Sequence, residues 1–392
     1  MIDIMTQRQP APILPASFQS SNELRHWVQS LLSKADIQVQ DRRPWDIKVH
    51  QEELWPRIAT QGSLGLGEAY MEGLWDCNAL DQFFDRVLSA RLPEQVNVLE
   101  IPIVELLRSF VFNNQSKSRS QKVVDIHYNL GNPFYEAMLD SNMQYTCGYY
   151  SSGALTLEEA QEAKLHLICK KLNLKPGERV LELGSGWGGF ARFAARHYGV
   201  EVVAYNISKE QVEWAQARNQ GWPIEYRLQD YREATGTFDK IVSIGMCEHV
   251  GPANHRAFFQ LVHDRLKEGG VCLLHTIGKD KSINKLDPWF AKYIFPGAIL
   301  PSTADLGKAM DGLFVLEDWH NFGCDYDQTL MAWHRRFEAA WPRFRGQYSD
   351  RFYRMWRYYL LSSAGAFRSR YIQLFQIVLS KGGIRGGWRS VR

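Results

Sequence analysis

RVLELGSGWGGF, residues 179–190, is the stretch from which the fold is read. An apolar run, 180–183, ends in Gly184, Gly186, Gly188 and Gly189, and a helical pattern opens at Phe190. That order predicts a buried strand, a tight glycine turn and a helix start. In doubly wound sheets such a turn offers backbone N–H groups to a ligand at the carboxyl edge of the strands.

The alternation continues outward from there. A second strand is predicted over 201–205, and Ser208 caps a helix that runs to 219. A third strand falls at 224–228, a fourth at 238–244, a helix at 253–267 and a fifth strand at 270–276. An amphipathic helix, 157–172, precedes the opening strand. Downstream come a helix from Ala304, a strand at 313–316, long helices near 326–342 and 349–370, and a last strand at 372–379. Continuous Val/Ile/Leu strands alternating with helices predict an α/β fold, with a doubly wound, mostly parallel sheet covered on both faces.

The chain is 392 residues long, enough for two domains, and its 45% hydrophobic content allows a large core. Residues 1–20, rich in Pro, Gln and Ser, read as a flexible tail. A helix starts near Ser21 and carries Leu24, Trp27, Val28, Leu31 and Leu32 at helical spacing. In GSLGLGEAYMEGLWDC, 62–77, no clear buried strand precedes the glycines. They read as loop chemistry feeding a short helix. Helices follow at 81–88 and 101–112. The polar run NNQSKSRSQK, 113–122, is the linker candidate, dividing an N-terminal domain, 21–112, from a second, 123–392.

The six cysteines form no CxxC pair, so a zinc knuckle is not expected. No run approaches the ~20 apolar residues of a spanning helix, and the first residues lack a secretory pattern. A cytoplasmic protein with free thiols and, at most, peripheral membrane contact is expected. The net charge is only +3, yet residues 343–392 hold eleven Lys or Arg against one acid, Asp350. Two readings stand: a cationic surface for anionic headgroups, or a helix face paired with acids elsewhere. Residues 123–153 crowd His127 and several tyrosines into one span, which suits either a pocket wall or core packing.

The glycines also satisfy a dinucleotide fingerprint. Dinucleotide sites carry an acid at the end of the second strand, but here that end reads Ala204, Tyr205, Asn206. An acid instead precedes the first glycine, Glu182. A carboxylate there suits the ammonium of S-adenosylmethionine, with Asn206 or Gln211 available to ribose hydroxyls. Asp230 falls near the adenine edge or is a plain turn residue.

Several stretches together resemble the cyclopropane and mycolic acid synthase family of S-adenosylmethionine-dependent methyltransferases. They include IHYNLGNPFYEAML (126–139), MQYTCGYY (143–150), VLELGSGWGGF (180–190), FDKIVSIGMCEHVG (238–251), LLHTIG (273–278) and EDWHNFGCDYDQTLMAW (317–333). The resemblance implies a Rossmann-like class I methyltransferase fold with a smaller helical N-terminal domain. It implies methyl transfer to a cis double bond of an unsaturated phospholipid acyl chain, closing a cyclopropane. The partners implied are the bilayer surface and a second copy of the chain, with no nucleic acid. Bicarbonate is the implied base, held by Cys147, Glu248, His275, the backbone of Ile277, and Tyr326. For the methyl donor the resemblance implies Tyr145, Thr146, Glu182, Gly184, Ser185, Gly186, Trp187, Gly188, Asn206, Ile207, Gln211, Asp230, Tyr231 and Arg232. Ser363 stands where relatives carry a cysteine, which argues against a covalent thiol.

The chemistry sets its own demands. An isolated alkene is a weak nucleophile and must be held in line with the methyl. The carbocation that follows requires a dry cavity, and a base must then take a proton. A methyl-branched product is the enzymatic alternative. A membrane-binding protein without catalysis and a nicotinamide dehydrogenase are the readings from other classes.

Overall fold

The computed structural model describes residues 21–39, 42–95, 130–283 and 285–392. The expected 1–20 tail, the 101–112 helix, the 113–122 linker and His127 lie outside these.

In chain order, α1 (Ser21–Lys34), β1 (Lys48–Val49), α2 (Leu54–Met71), β2 (Trp75–Asp76), α3 (Leu80–Ser89) and α4 (Leu92–Gln95) form the N-terminal part. Then come α5 (Asn132–Met138), α6 (Leu157–Lys171), β3 (Arg179–Leu183), α7 (Gly189–Tyr198), β4 (Glu201–Asn206), α8 (Lys209–Ala217), β5 (Ile224–Leu228) and β6 (Phe238–Ile244). The chain continues through α9 (His255–Arg265), β7 (Leu266–Gly278), α10 (Pro288–Tyr293) and α11 (Thr303–Met310). It closes with β8 (Val315–Asn321), α12 (Cys324–Phe344), α13 (Asp350–Arg368) and β9 (Gln373–Ser380).

Seven strands form one sheet in the order β5-β4-β3-β6-β7-β9-β8. The first five are parallel, while β9 and β8 are antiparallel to their neighbours. The order reverses beside β3, so the glycine turn sits at the switch point, where open α/β sheets place their ligands. Strand periodicity divides the core. Leu181, Leu183, Val203, Tyr205 and Ile241 face a cluster that includes Phe258 and Phe259 of α9. Val180, Val202, Ala204 and Val242 face Leu165 and Ile168 of α6 and Phe190 of α7.

Local signals set several helix starts. Thr156 and Glu159 form a capping box on α6, and Ser302 and Asp305 form one on α11. Asp287 caps α10 ahead of Pro288.

Two expectations need correction. The strand placed at 313–316 is instead Val315–Asn321, because its pairing partner β9 extends it through Glu317, Asp318, His320 and Asn321, whose polarity interrupts the apolar run around Trp319. Two of the glycines of 62–77 are not in a loop, although Gly73 does sit in the turn that follows α2. Gly65 and Gly67 lie within α2, which kinks only at Gly62 (φ 56°, ψ −128°). Gly67 is small because the indole of Trp289 occupies the place of a side chain.

Of the C-terminal arginines, Arg354 bonds Asp76 (2.7 Å) and Arg351 bonds the Tyr293 hydroxyl (3.1 Å). Arg357 faces Glu338 (2.9 Å), and Arg368 bridges Asp81 (2.7 Å) and Asp327 (2.9 Å). These four are held by groups of the chain itself, which favours the paired-face reading over a headgroup surface for them.

Candidate active site

β3 delivers Glu182 to the switch point, and the backbone then turns sharply. The N–H groups of Gly184 and Ser185 both reach the Tyr205 carbonyl at 3.0 Å. Gly184, Gly186 and Gly188 hold φ of 84°, 50° and 70°, which a side chain resists. A Cβ at Gly189 would collide with the Asn142 carbonyl and the Gln144 amide, so the 140–147 segment lies directly against the start of α7.

A cavity of about 210 Å³ opens here. Its lining includes Tyr145, Thr146, Glu182, Gly184, Ser185, Gly186, Trp187, Asn206, Ile207, Gln211, Asp230, Tyr231 and Arg232. These are thirteen of the fourteen positions expected for the methyl donor; Gly188 lies outside the lining. Glu182 Oε2 and Ser185 Oγ are buried and have no hydrogen-bond partner. Burial pushes the Glu182 carboxyl up to about 8, against the pull of Arg192 and Lys164. An acid in that state is suited to an ammonium that would restore its charge.

Other lining groups are already organised. Asn206 Nδ2 donates to the Gly186 carbonyl (2.9 Å) and to Gln211 Oε1 (3.0 Å), joining the two expected ribose partners to the glycine turn. Asp230 accepts the Arg232 N–H at 2.9 Å and caps a short 3-10 turn. Tyr231 has its ring edge-on to Phe258. Trp187 donates to Asn132 at 2.8 Å, and the Tyr145 hydroxyl meets that of Tyr359 at 2.9 Å.

The five residues expected to hold an anion do not line this cavity; His249, the neighbour of Glu248, does. Glu248 Oε1 accepts the Ile277 N–H at 2.7 Å, so the donor of the backbone expected to serve the anion is given to Glu248. Burial raises the Glu248 carboxyl to about 7, and its Oε2 has no partner. His275 stands on the same face of β7 as Ile277. It is held neutral, since burial drives its pKa well below the usual value. Gln376 Nε2 donates to its Nδ1 (3.2 Å), which puts the ring proton on Nε2, a buried atom without an acceptor.

Cys147 and Tyr326 meet through α12. Thr329, one turn past Tyr326, donates to Cys147 Sγ (3.9 Å) and accepts the Gly148 N–H (3.0 Å). The two halves approach each other at Phe322, whose ring contacts both His275 and Tyr149. Burial pushes the Cys147 thiol well up, so it stays protonated and is a poor nucleophile. Tyr326 stacks on Phe367. Ser363 is buried on α13 and is not part of the cavity lining.

Sequence reasoning missed Lys164, Gln161 and Gln144. Lys164 Nζ bonds Gln144 Oε1 (2.5 Å) and Thr146 Oγ1 (2.9 Å), and Gln161 Nε2 bonds the Thr146 carbonyl (2.7 Å). The available signal was a lysine on the apolar stripe of α6, between Ala160 and Ile168 at helical spacing.

A mostly parallel doubly wound sheet, with a cavity at its switch point lined by a glycine turn and a buried acid, defines a class I methyltransferase. More narrowly, the chain belongs to the mycolic acid cyclopropane synthetase family, whose model matches residues 115–377. It is 49% identical over 365 residues to the cyclopropane-fatty-acyl-phospholipid synthase of Escherichia coli K12, spanning 93% of this chain and 95% of that one. The cyclopropane synthase MmaA2 of Mycobacterium tuberculosis superposes with a TM-score of 0.63 at 31% identity, over 67% of this chain and 98% of its own. The mycolic acid cyclopropane synthase CmaA1, solved with SAH and CTAB, gives 0.62 at 30% identity, over 67% and 98%.

Proposed function

We propose that this chain transfers the methyl group of S-adenosylmethionine to the cis double bond of an unsaturated phospholipid acyl chain and closes a cyclopropane. The observation that carries this reading is a pair of unsatisfied buried polar sets on one sheet edge. Glu182 and Ser185 face the cavity, and Glu248 and His275 lie beside it. The near-complete overlap with the Escherichia coli phospholipid enzyme supports the choice of substrate.

S-adenosylmethionine supplies the electrophilic methyl. Glu182 would hold its ammonium, the glycine turn would receive its methionine end, and Asn206, Gln211 and Tyr231 would hold the nucleoside. Bound there, the donor would supply its methyl to an alkene held in line with it, leaving a neutral sulfide and a positive charge on the acyl chain. Tyr145, the cavity-lining ring of a contact series that continues through Trp333 to Tyr326, would offer its π face to that charge.

Loss of a proton from the added methyl closes the ring. Bicarbonate, when bound, supplies the base. The polar set fits such an anion: the His275 Nε2 proton has no acceptor and could be donated to it, and Glu248 Oε2 has no partner and could accept its hydroxyl. Cys147 and Tyr326 complete the enclosure, and Ser363 takes no part.

No helix among the described residues is long and apolar enough to cross a membrane; the proposed reading has the lipid met at the bilayer surface. Residues 21–112 act as an accessory domain for that contact and for pairing with a second copy, and 123–392 carry the chemistry. Vesicles of cis-unsaturated phospholipid, incubated with enzyme and S-adenosylmethionine, test the reading. The expected product gains one methylene and carries a ring by NMR. A methyl branch, or no gain over several headgroups while the donor still binds, would overturn it.

A further inference from the structure

Lys164 is wholly buried, at 0% exposure, and the groups its ammonium bonds among the described residues are not carboxylates, although Asp140 and Glu182 act on it from farther away. Its ammonium has two neutral acceptors, Gln144 Oε1 and Thr146 Oγ1. Both of those residues line the cavity. Taking an ammonium out of water without a counter-ion is costly, and an apolar side chain of the same length would pack there more cheaply. Such a group is kept where a site needs it.

What it holds is specific. Asp140 accepts the backbone N–H groups of Asn142 (2.9 Å) and Gln144 (2.8 Å), closing a tight loop. Gln144 Nε2 returns to the Asn142 carbonyl at 3.3 Å. Gln161, one turn before Lys164 on α6, takes the Thr146 carbonyl. One helix therefore grips a short wall that runs from the glycine turn, at Gly189, to Cys147. The charged or titratable groups that act on Lys164 are Asp140, Cys147 and Glu182, from the wall and from β3.

We propose that Lys164 is a positioning residue for the methyl donor: its buried ammonium fixes the Gln144–Thr146 wall of the cavity and sets a positive charge behind it. The inference rests on the function proposed above. The lysine touches neither reactant. It sets the distance between the wall that carries Tyr145 and the turn that receives the donor, a distance on which in-line transfer depends.

The test compares the full-length enzyme with Lys164→Met. Four quantities are read: the melting temperature, the affinity for S-adenosylhomocysteine by calorimetry, KM for each substrate, and kcat. The expected pattern is selective. The melting temperature holds or rises, because a buried charge has gone. Affinity for S-adenosylhomocysteine and KM for S-adenosylmethionine worsen about tenfold or more, as for the loss of a charged hydrogen bond. KM for the lipid stays within about twofold, the resolution of such comparisons.

Unchanged donor affinity and kcat would overturn the proposal. So would a fall in stability with all kinetic parameters worsened together, which is the mark of a packing role. If Lys164→Met does not fold, Lys164→Gln, which is neutral and keeps a polar end, is judged by the same split. A wild-type enzyme that binds no donor would refute the proposed function itself, and is thereby distinguished from a failure confined to the variant.

Discussion

At the scale of single residues, two buried acids carry the character of the site. Burial raises the Glu182 carboxyl from 4.5 to about 8 and that of Glu248 to about 7. An acid raised by folding keeps a proton that the unfolded chain has released. From about pH 4.5 to about pH 8 the folded state therefore binds more protons, and the ligand-free protein loses stability as pH rises through that window. A ligand ammonium beside Glu182 favours the carboxylate and drives the proton off. Affinity for S-adenosylhomocysteine should thus rise between pH 6 and pH 8, by at most tenfold per unit for one proton. Calorimetry in buffers of different ionisation heat should register proton release at pH 6.5. Glu182→Gln should flatten the slope. Affinity independent of pH in the wild-type protein would remove Glu182 from this role. The same scale shows what a single chain hides. Glu182 and Asn206 were readable, because their place at strand ends follows from local pattern. That the Ile277 N–H is given to Glu248 depends on the spacing of two strand ends, which no local pattern records.

At the scale of elements, legibility followed locality. β3, the glycine turn and α7 were readable because their signals are contiguous. The capping box at Thr156 lies in four consecutive residues. Gly67 of α2 was misread because its reason sits far along the chain, at Trp289. Lys164 escaped because helical spacing marks a face as buried without saying what it meets. The α2 case makes a quantitative prediction. In an open helix, Gly→Ala gains roughly 1 kcal/mol. At Gly67 the new methyl overlaps the Trp289 indole, itself fully buried and bonded to Met71 Sδ at 3.3 Å. Overpacking costs about 1–3 kcal/mol, so the penalty exceeds the helix gain. Gly67→Ala should lower the urea midpoint, and Trp289→Leu added to it should recover part of the loss. A more stable Gly67→Ala would show that the close approach is not required.

At the scale of the molecule, the N-terminal part and the sheet region share one core. A continuous cluster runs from Val28 of α1 through Trp75 and Phe83 to Trp356 of α13 and Leu374 of β9. Polar bonds between the two parts come from α10, where Lys292 and Tyr293 reach Glu68, and above all from α13, where Arg354 reaches Asp76. Arg368 holds Asp81, at the start of α3, and Asp327, in the first turn of α12. The two acids are 12% and 19% exposed as side chains and the arginine 30%, so the pair energies are partly screened. Removing the cation leaves two acids facing each other with little water, a state worse than removing all three. Arg368→Met should therefore cost about 2 kcal/mol, below the range for fully buried pairs. Adding Asp81→Asn and Asp327→Asn should return most of it, since no charge is then stranded. Because the core is continuous, the loss should shift a single unfolding transition, followed by tryptophan fluorescence and by circular dichroism. Two separated transitions in the wild-type protein would show that the shared cluster does not couple its halves. A loss of under about 0.5 kcal/mol, the range of ordinary surface changes, would show that Arg368 is only a surface charge.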